Sequence, residues 1–289
     1  MTQDSNAPRS MRPRHSGIVI VDSNCLHRLI DVAVRERVRS SLAMADFEIF
    51  PSMINAVEAG QASSPSLRRD LLSVVAALAE GKGLLPQLND LLKRSGTALA
   101  AGETAFWSGL SGLEEALLDD PAAVTDEQVE ELTRFTRATE ARFNAMHDLA
   151  RPQVQRLVKG KVGTDALSDA RAFLDQVWMT VPQQGDLLSS LWAHLGLTGA
   201  APVEVLLAHP FWRAWLELEG IAVFERAISL EQPKRVDQND LLLAANLGLA
   251  GRRLLITDDK PLQRAASLVF VGRYPQSRVL SWEEFERTL

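Results

Sequence analysis

Gly17-Ile18-Val19-Ile20-Val21-Asp22-Ser23-Asn24 is the stretch on which the fold turns. A short, unbroken run of mostly β-branched apolar residues predicts a strand buried on both faces, as in a parallel sheet. The run stops at Asp22, and Asp22-Ser23-Asn24 supplies turn and cap chemistry for a helix over residues 25–43. Residues 47–50 predict a second short strand. Pro51-Ser52 then opens a helix that passes Glu58 and ends near Gly60.

Similar text returns after residue 210. Residues 211–230 form an amphipathic helical pattern, and Gln238-Asn239-Asp240 caps a helix over 241–250 that Gly251 closes. Residues 254–257 predict a strand stopped by Asp258-Asp259, followed by a short helix over 261–267. Residues 269–271 and 278–280 are expected edge strands. Ser281 caps a last helix, with Glu284 in the capping-box position.

Between these ends Leu and Ala dominate and the apolar spacing is helical. Leu71, Val74, Val75 and Leu78 share one face, and Thr125-Asp126-Glu127-Gln128 reads as a capping box. Phe173, Leu174 and Val177, then Leu187, Leu188, Leu191 and Trp192, mark further apolar faces. The sequence therefore predicts an α/β domain with a central parallel sheet, made of residues 16–60 and 211–289. It is interrupted by an all-α insertion over 61–210 and preceded by a disordered leader over 1–15.

Composition narrows the function. The single cysteine, Cys25, excludes an internal disulfide and any cysteine-built zinc site, and fits a reducing, cytoplasmic setting. No stretch has the length and apolarity of a signal peptide or membrane span, so no membrane partner is expected. The net charge of −6 argues against holding nucleic acid by bulk attraction. That excess sits in residues 61–210, which carry 13 of the 31 basic and 19 of the 37 acidic residues, so the remainder balances at 18 each.

The acids carry the chemistry. Asp22 and Asp259 each follow an apolar strand, and in open parallel sheets ligands bind outside those strand ends. Asp240 stands at a helix start and Glu58 late on the helix after the second strand. Crowded carboxylates raise one another's pKa unless a cation neutralises them. Hard oxygen ligands select Mg²⁺ or Mn²⁺. Such ions lower the pKa of water and offset charge on a leaving oxygen, which suits phosphodiester hydrolysis. Taken singly, an Asp after a strand is also a common helix cap, and Glu58 fits a solvated helix face.

Taken jointly, the chain resembles the PIN domain family of nucleases. The resemblance rests on Ile18-Val19-Ile20-Val21-Asp22-Ser23-Asn24, on Phe50-Pro51-Ser52 leading to Val57-Glu58-Ala59, and on Asn239-Asp240-Leu241-Leu242-Leu243-Ala244-Ala245. It also rests on Leu254-Leu255-Ile256-Thr257-Asp258-Asp259-Lys260 and on Val279-Leu280-Ser281 with the closing helix. It covers about residues 15–60 and 211–289. It implies a three-layer α/β/α fold and metal-dependent cleavage, usually of RNA. In it Asp22, Glu58, Asp240 and Asp259 match the acidic catalytic and metal positions, and Asn24 and Thr257 the supporting polar ones. Asp258 departs from the family's usual neutral or basic residue, which leaves open whether Asp258 or Asp259 is the fourth ligand. The insertion of some 150 residues departs from the compact PIN toxins, so the resemblance leaves open whether the chain acts as a toxin.

The remaining candidates are weaker. His15, His27, His147, His194 and His209 show no metal-ligand spacing, and no Gly-rich phosphate loop is present. Arg28 and Arg35 after the first strand, and Arg151, Arg156, Lys159 and Lys161 in the insertion, are candidate phosphate contacts, although such runs are usually solvated faces. The tryptophans are spaced as core residues. The expected function is a Mg²⁺- or Mn²⁺-dependent endoribonuclease, with the insertion as lid, substrate selector, partner surface or self-association surface. The competing readings are a DNA or structure-specific nuclease on the same site, and an inactive PIN-like scaffold whose insertion binds a protein.

Overall fold

The computed structural model describes residues 17–80, 83–85, 88–100, 166–228, 238–249 and 251–289, with isolated positions between 125 and 155. The protein is mixed α/β, mostly helical, around a four-stranded parallel sheet: β1 (Gly17–Val21), β2 (Phe47–Ile49), β3 (Arg252–Ile256) and β4 (Ser277–Leu280), in the order β2-β1-β3-β4. Among the described residues no helix is long and apolar enough to cross a membrane.

All five residues of β1 are buried, as a central parallel strand requires. Alternate side chains feed two apolar clusters. Ile18 and Ile20 join Leu255 in one, and Val19 and Val21 join Ile256 in the other. After β1 come a short helix α1 (Ser23–Leu26) and α2 (Val32–Met44), which adds Val38 and Leu42 to the second cluster and leads to β2. After β3, α11 (Lys260–Phe270) adds Leu262, Ala265, Ala266, Val269 and Phe270 to the first cluster and leads to β4. The two crossovers thus run outward in opposite directions on opposite faces. The topological switch point falls between β1 and β3, where a parallel sheet opens a crevice at its carboxyl edge.

The other helices are α3 (Met53–Gly60), α4 (Pro65–Ala79), α5 (Leu88–Ala100), α6 (Ala166–Phe173), α7 (Val181–His194), α8 (Val203–Ala208), α9 (Pro210–Ile228), α10 (Gln238–Ala245) and α12 (Trp282–Glu286). Helices between residues 61 and 210 share the sheet's own clusters. Leu72, Val74, Val75 and Leu78 of α4 pack with Val19 and Val21, while Leu188, Leu191 and Trp192 of α7 fall in the cluster of Ile18 and Ile20. A polar clasp reinforces that union. Arg273, beyond α11, binds Asp175 of the middle stretch (2.6 Å) and the fully buried Glu217 of α9, which Arg213 also reaches (3.0 Å).

Three local expectations are corrected. Residues 269–271 are not an edge strand, because Val269 and Phe270 complete an i, i+3, i+4, i+7, i+8 stripe that keeps α11 helical to Phe270. The helix expected over 25–43 breaks at Asp31, whose carboxylate caps α2 by accepting from the Ala33 and Val34 N–H groups. Asp240 is not a cap but lies inside the first turn of α10, which starts at Gln238. After α6 the chain makes one wide π-turn (Leu174–Trp178), seating the Trp178 ring against Gly220, where an added Cβ would lie 2.4 Å from the indole. The Thr125–Gln128 capping box forms: the Gln128 N–H donates to the Thr125 hydroxyl (3.2 Å), and Gln128 Oε1 accepts from the Thr125 N–H (2.9 Å).

Candidate active site

The site lies at the switch point. Asp22 leaves β1 with its N–H donating to the Ile256 carbonyl (2.8 Å), so the exits of β1 and β3 are tied together. Beyond β3, the buried Thr257 hydroxyl donates to Asp22 Oδ2 (2.5 Å) and accepts from the Asp259 N–H (3.0 Å). One hydroxyl thus fixes Asp22 and Asp259 relative to each other. Gln263 Nε2 in turn donates to the Thr257 carbonyl (2.6 Å). Asp259 Oδ1 accepts from the Leu262 N–H (2.7 Å) and caps α11, holding that carboxylate at the positive end of a helix.

Asp22 is 4% exposed. Burial pushes its carboxyl above the ordinary range; the Thr257 hydroxyl and the Ser23 and Asn24 N–H groups oppose this, and the charge of Asp259 adds to it. A nearby cation would relieve both the desolvation and the repulsion. Cys25, buried behind the loop, has its thiol pushed up to about 12, chiefly by burial, which leaves it a packed thiol rather than a nucleophile.

Asp258 does different work. Its Oδ1 accepts from the Trp282 N–H (2.9 Å) at the start of α12, and its Oδ2 pairs with Arg28 Nη2 (3.3 Å). Arg28 lies over the Trp282 ring, 5.9 Å from its centroid. Asn24 Oδ1 accepts from the Asp258 N–H (3.4 Å). Both Asp258 oxygens are therefore engaged in holding α12 and Arg28, while Asp259 is the acid that reaches Asp22 electrostatically.

Glu58 and Asp240, both half-buried, sit on two further helices. Glu58 lies on α3, which packs beside α1 just after Asp22; Asp240 lies on α10, which packs against α11, the helix that Asp259 opens. Among the described residues no three His, Cys, Asp or Glu side chains form a group that could hold a metal ion by themselves. The donor set of Asp22 and Asp259 nonetheless fits Mg²⁺ chemistry, because that ion typically takes one or two carboxylates and keeps several waters.

Arg35 turns inward, its Nη1 donating to the Leu29 carbonyl (2.9 Å), whereas Arg28 stays at the rim of the site, 45% exposed. Arg151, Arg156, Lys159 and Lys161 lie outside the described residues. Sequence reasoning missed Asn55, which is fully buried at the exit of β2; the only signal was its place three residues after Ser52, where a capping box needs a side-chain acceptor. Comparison with protein-family models, with curated proteins and with solved structures gives no match.

Proposed function

We propose that the protein is a divalent-metal-dependent nuclease of PIN-like, three-layer design, acting on RNA. The observation that carries this reading is the Asp22–Thr257–Asp259 arrangement at the switch point: two carboxylates from two strand ends, fixed by one hydroxyl, with Asp22 raised by burial and by its neighbour's charge. The apolar clusters on both sheet faces support the layered design.

Asp22 and Asp259 would hold Mg²⁺ or Mn²⁺ with waters completing its shell, and Glu58 and Asp240, on α3 and α10, would act through those waters rather than as direct ligands. The ion would supply charge neutralisation at the scissile phosphate and a lower pKa for the attacking water. Thr257 keeps Asp22 oriented through the reaction. Arg28 at the rim and the exposed Lys260 beside Asp259 would meet flanking phosphates. No histidine lies in this network and its carboxylates would be committed to the ion, so the reading assigns attack to water rather than to a ribose 2′-hydroxyl. Water then attacks phosphorus, the P–O3′ bond breaks, and the proton released by water ends on the 3′ oxygen.

The expected products carry a 5′-phosphate and a 3′-hydroxyl. End-group analysis of cleaved oligoribonucleotides checks this; a 2′,3′-cyclic phosphate would rule the water mechanism out.

A further inference from the structure

The parallel ladder between β1 and β2 ends abnormally. Its bonds fall on every second residue: the Gly17 N–H donates to the Asp46 carbonyl (3.0 Å), and the Phe50 N–H to the Val19 carbonyl (2.9 Å). The next bond in that series would run from the Ser52 N–H to the Val21 carbonyl. Instead the Ser52 N–H donates to Asn55 Oδ1 (2.8 Å), and Asn55 Nδ2 donates to the Val21 carbonyl (3.0 Å). The side-chain amide has been inserted into the ladder, where it stands in for a peptide group.

Every hydrogen-bonding capacity of that amide is used. Nδ2 also donates to the Ser23 hydroxyl (3.0 Å), and Oδ1 also accepts from the Ser52 hydroxyl (3.0 Å). Its orientation is compelled, since one end faces a carbonyl and the other an N–H group. Only an amide satisfies both: a carboxylate would meet the Val21 carbonyl as a second acceptor, and an apolar side chain would leave buried partners unmade. The amide lies between the chain ends beyond β1 and β2, where α3 departs. It grips Ser23, the residue after Asp22, while sitting three residues before Glu58 on one face of α3.

We propose that Asn55 is a positioning residue, whose amide replaces one ladder bond between β1 and β2 and so sets the Asp22 turn against the helix that carries Glu58. As a statement about the metal site, it rests on the nuclease reading above.

The test compares full-length wild type with Asn55→Ala and Asn55→Asp. Amide hydrogen exchange in metal-free protein reads the wedge: exchange at Ser52 accelerates at least about tenfold in Asn55→Ala, while Ile20 in mid-strand stays protected. A Mn²⁺ titration followed by melting temperature reads the positioning. Both variants need about tenfold more Mn²⁺ for half the wild-type shift, the scale of losing a residue that supports a metal ligand, and KM for an oligoribonucleotide stays unchanged. Faster Ser52 exchange with wild-type Mn²⁺ dependence would overturn the positioning role. Unchanged exchange would overturn the wedge itself. Should Asn55→Ala not fold, Ser23→Ala removes a single bond from a half-buried hydroxyl and gives the same Mn²⁺ change, smaller. A wild-type protein with no Mn²⁺ response and no cleavage would refute the nuclease reading instead, and Ser52 exchange would still decide the wedge.

Discussion

Asp22 pays for its place in the core, and its ionisation should show it. Its folded-state pKa is raised, mainly by burial and further by Asp259. The folded state therefore prefers the protonated form, so the associated stability is fully present below the unfolded pKa near 3.8 and is lost as pH rises through the folded value. Asparagine keeps an oxygen for the Thr257 hydroxyl but carries no charge. Metal-free Asp22→Asn should accordingly melt no lower than wild type at pH 7, and its advantage should shrink towards pH 4. Its Mn²⁺-dependent cleavage should fall by about 100-fold or more. Melting curves across pH beside cleavage rates check both; a variant less stable than wild type at pH 7 would contradict the assigned strain. Asp22 and Asp259 were legible in the sequence because apolar runs stop at them. Asn55 was not, because its decisive partner, Val21, lies 34 residues away and is a backbone carbonyl.

Among the elements, the exits of β1 and β3 and the starts of α11 and α12 form one unit around Asp258 and Asp259. Asp258 bonds the first N–H of α12 and pairs with Arg28, so Asp258→Ala should loosen α12 at a cost of about 1 kcal/mol, as for a lost helix cap. On the proposed reading, in which Asp259 and not Asp258 meets the ion, cleavage should fall less than tenfold. Chemical denaturation with a parallel activity assay tests this, and abolished cleavage in a stable variant would make Asp258 the ligand. The strands expected over 17–21, 47–50 and 278–280 form, the last two with one end shifted by a residue, as do the capping boxes at Thr125 and Ser281. The mistaken strand over 269–271 arose because a β-branched and an aromatic residue look alike in isolation. Only the stripe begun at Leu262, seven residues earlier, shows that they belong to a helix. The break at Asp31 was hidden for the opposite reason, a cap set inside a sequence that reads as continuous helix.

At the scale of the molecule, helices from the middle of the chain do more than decorate the sheet. They complete its two apolar clusters, and the Asp175–Arg273–Glu217–Arg213 clasp ties them to α9 and to the loop before β4. The alternation of strand and helix at the two ends was legible, because β1 and β3 carry apolar runs that pair across more than 200 residues of sequence. The sharing of clusters was not, because a helical stripe shows that a face is buried without showing what buries it. The nuclease reading stands on Asp22 and Asp259 together holding a divalent cation for phosphodiester cleavage. Its most direct test is a Mn²⁺ titration of wild type and Asp259→Asn, reading melting temperature and cleavage of matched single- and double-stranded RNA and DNA. Asparagine caps α11 about as well as aspartate, so the two proteins should melt alike without metal. Mn²⁺ should raise the wild-type melting temperature and drive cleavage of RNA, and Asp259→Asn should lose most of both. An Asp259→Asn variant that responds to Mn²⁺ and cleaves as wild type does, or wild-type cleavage that persists in excess chelator, would contradict it.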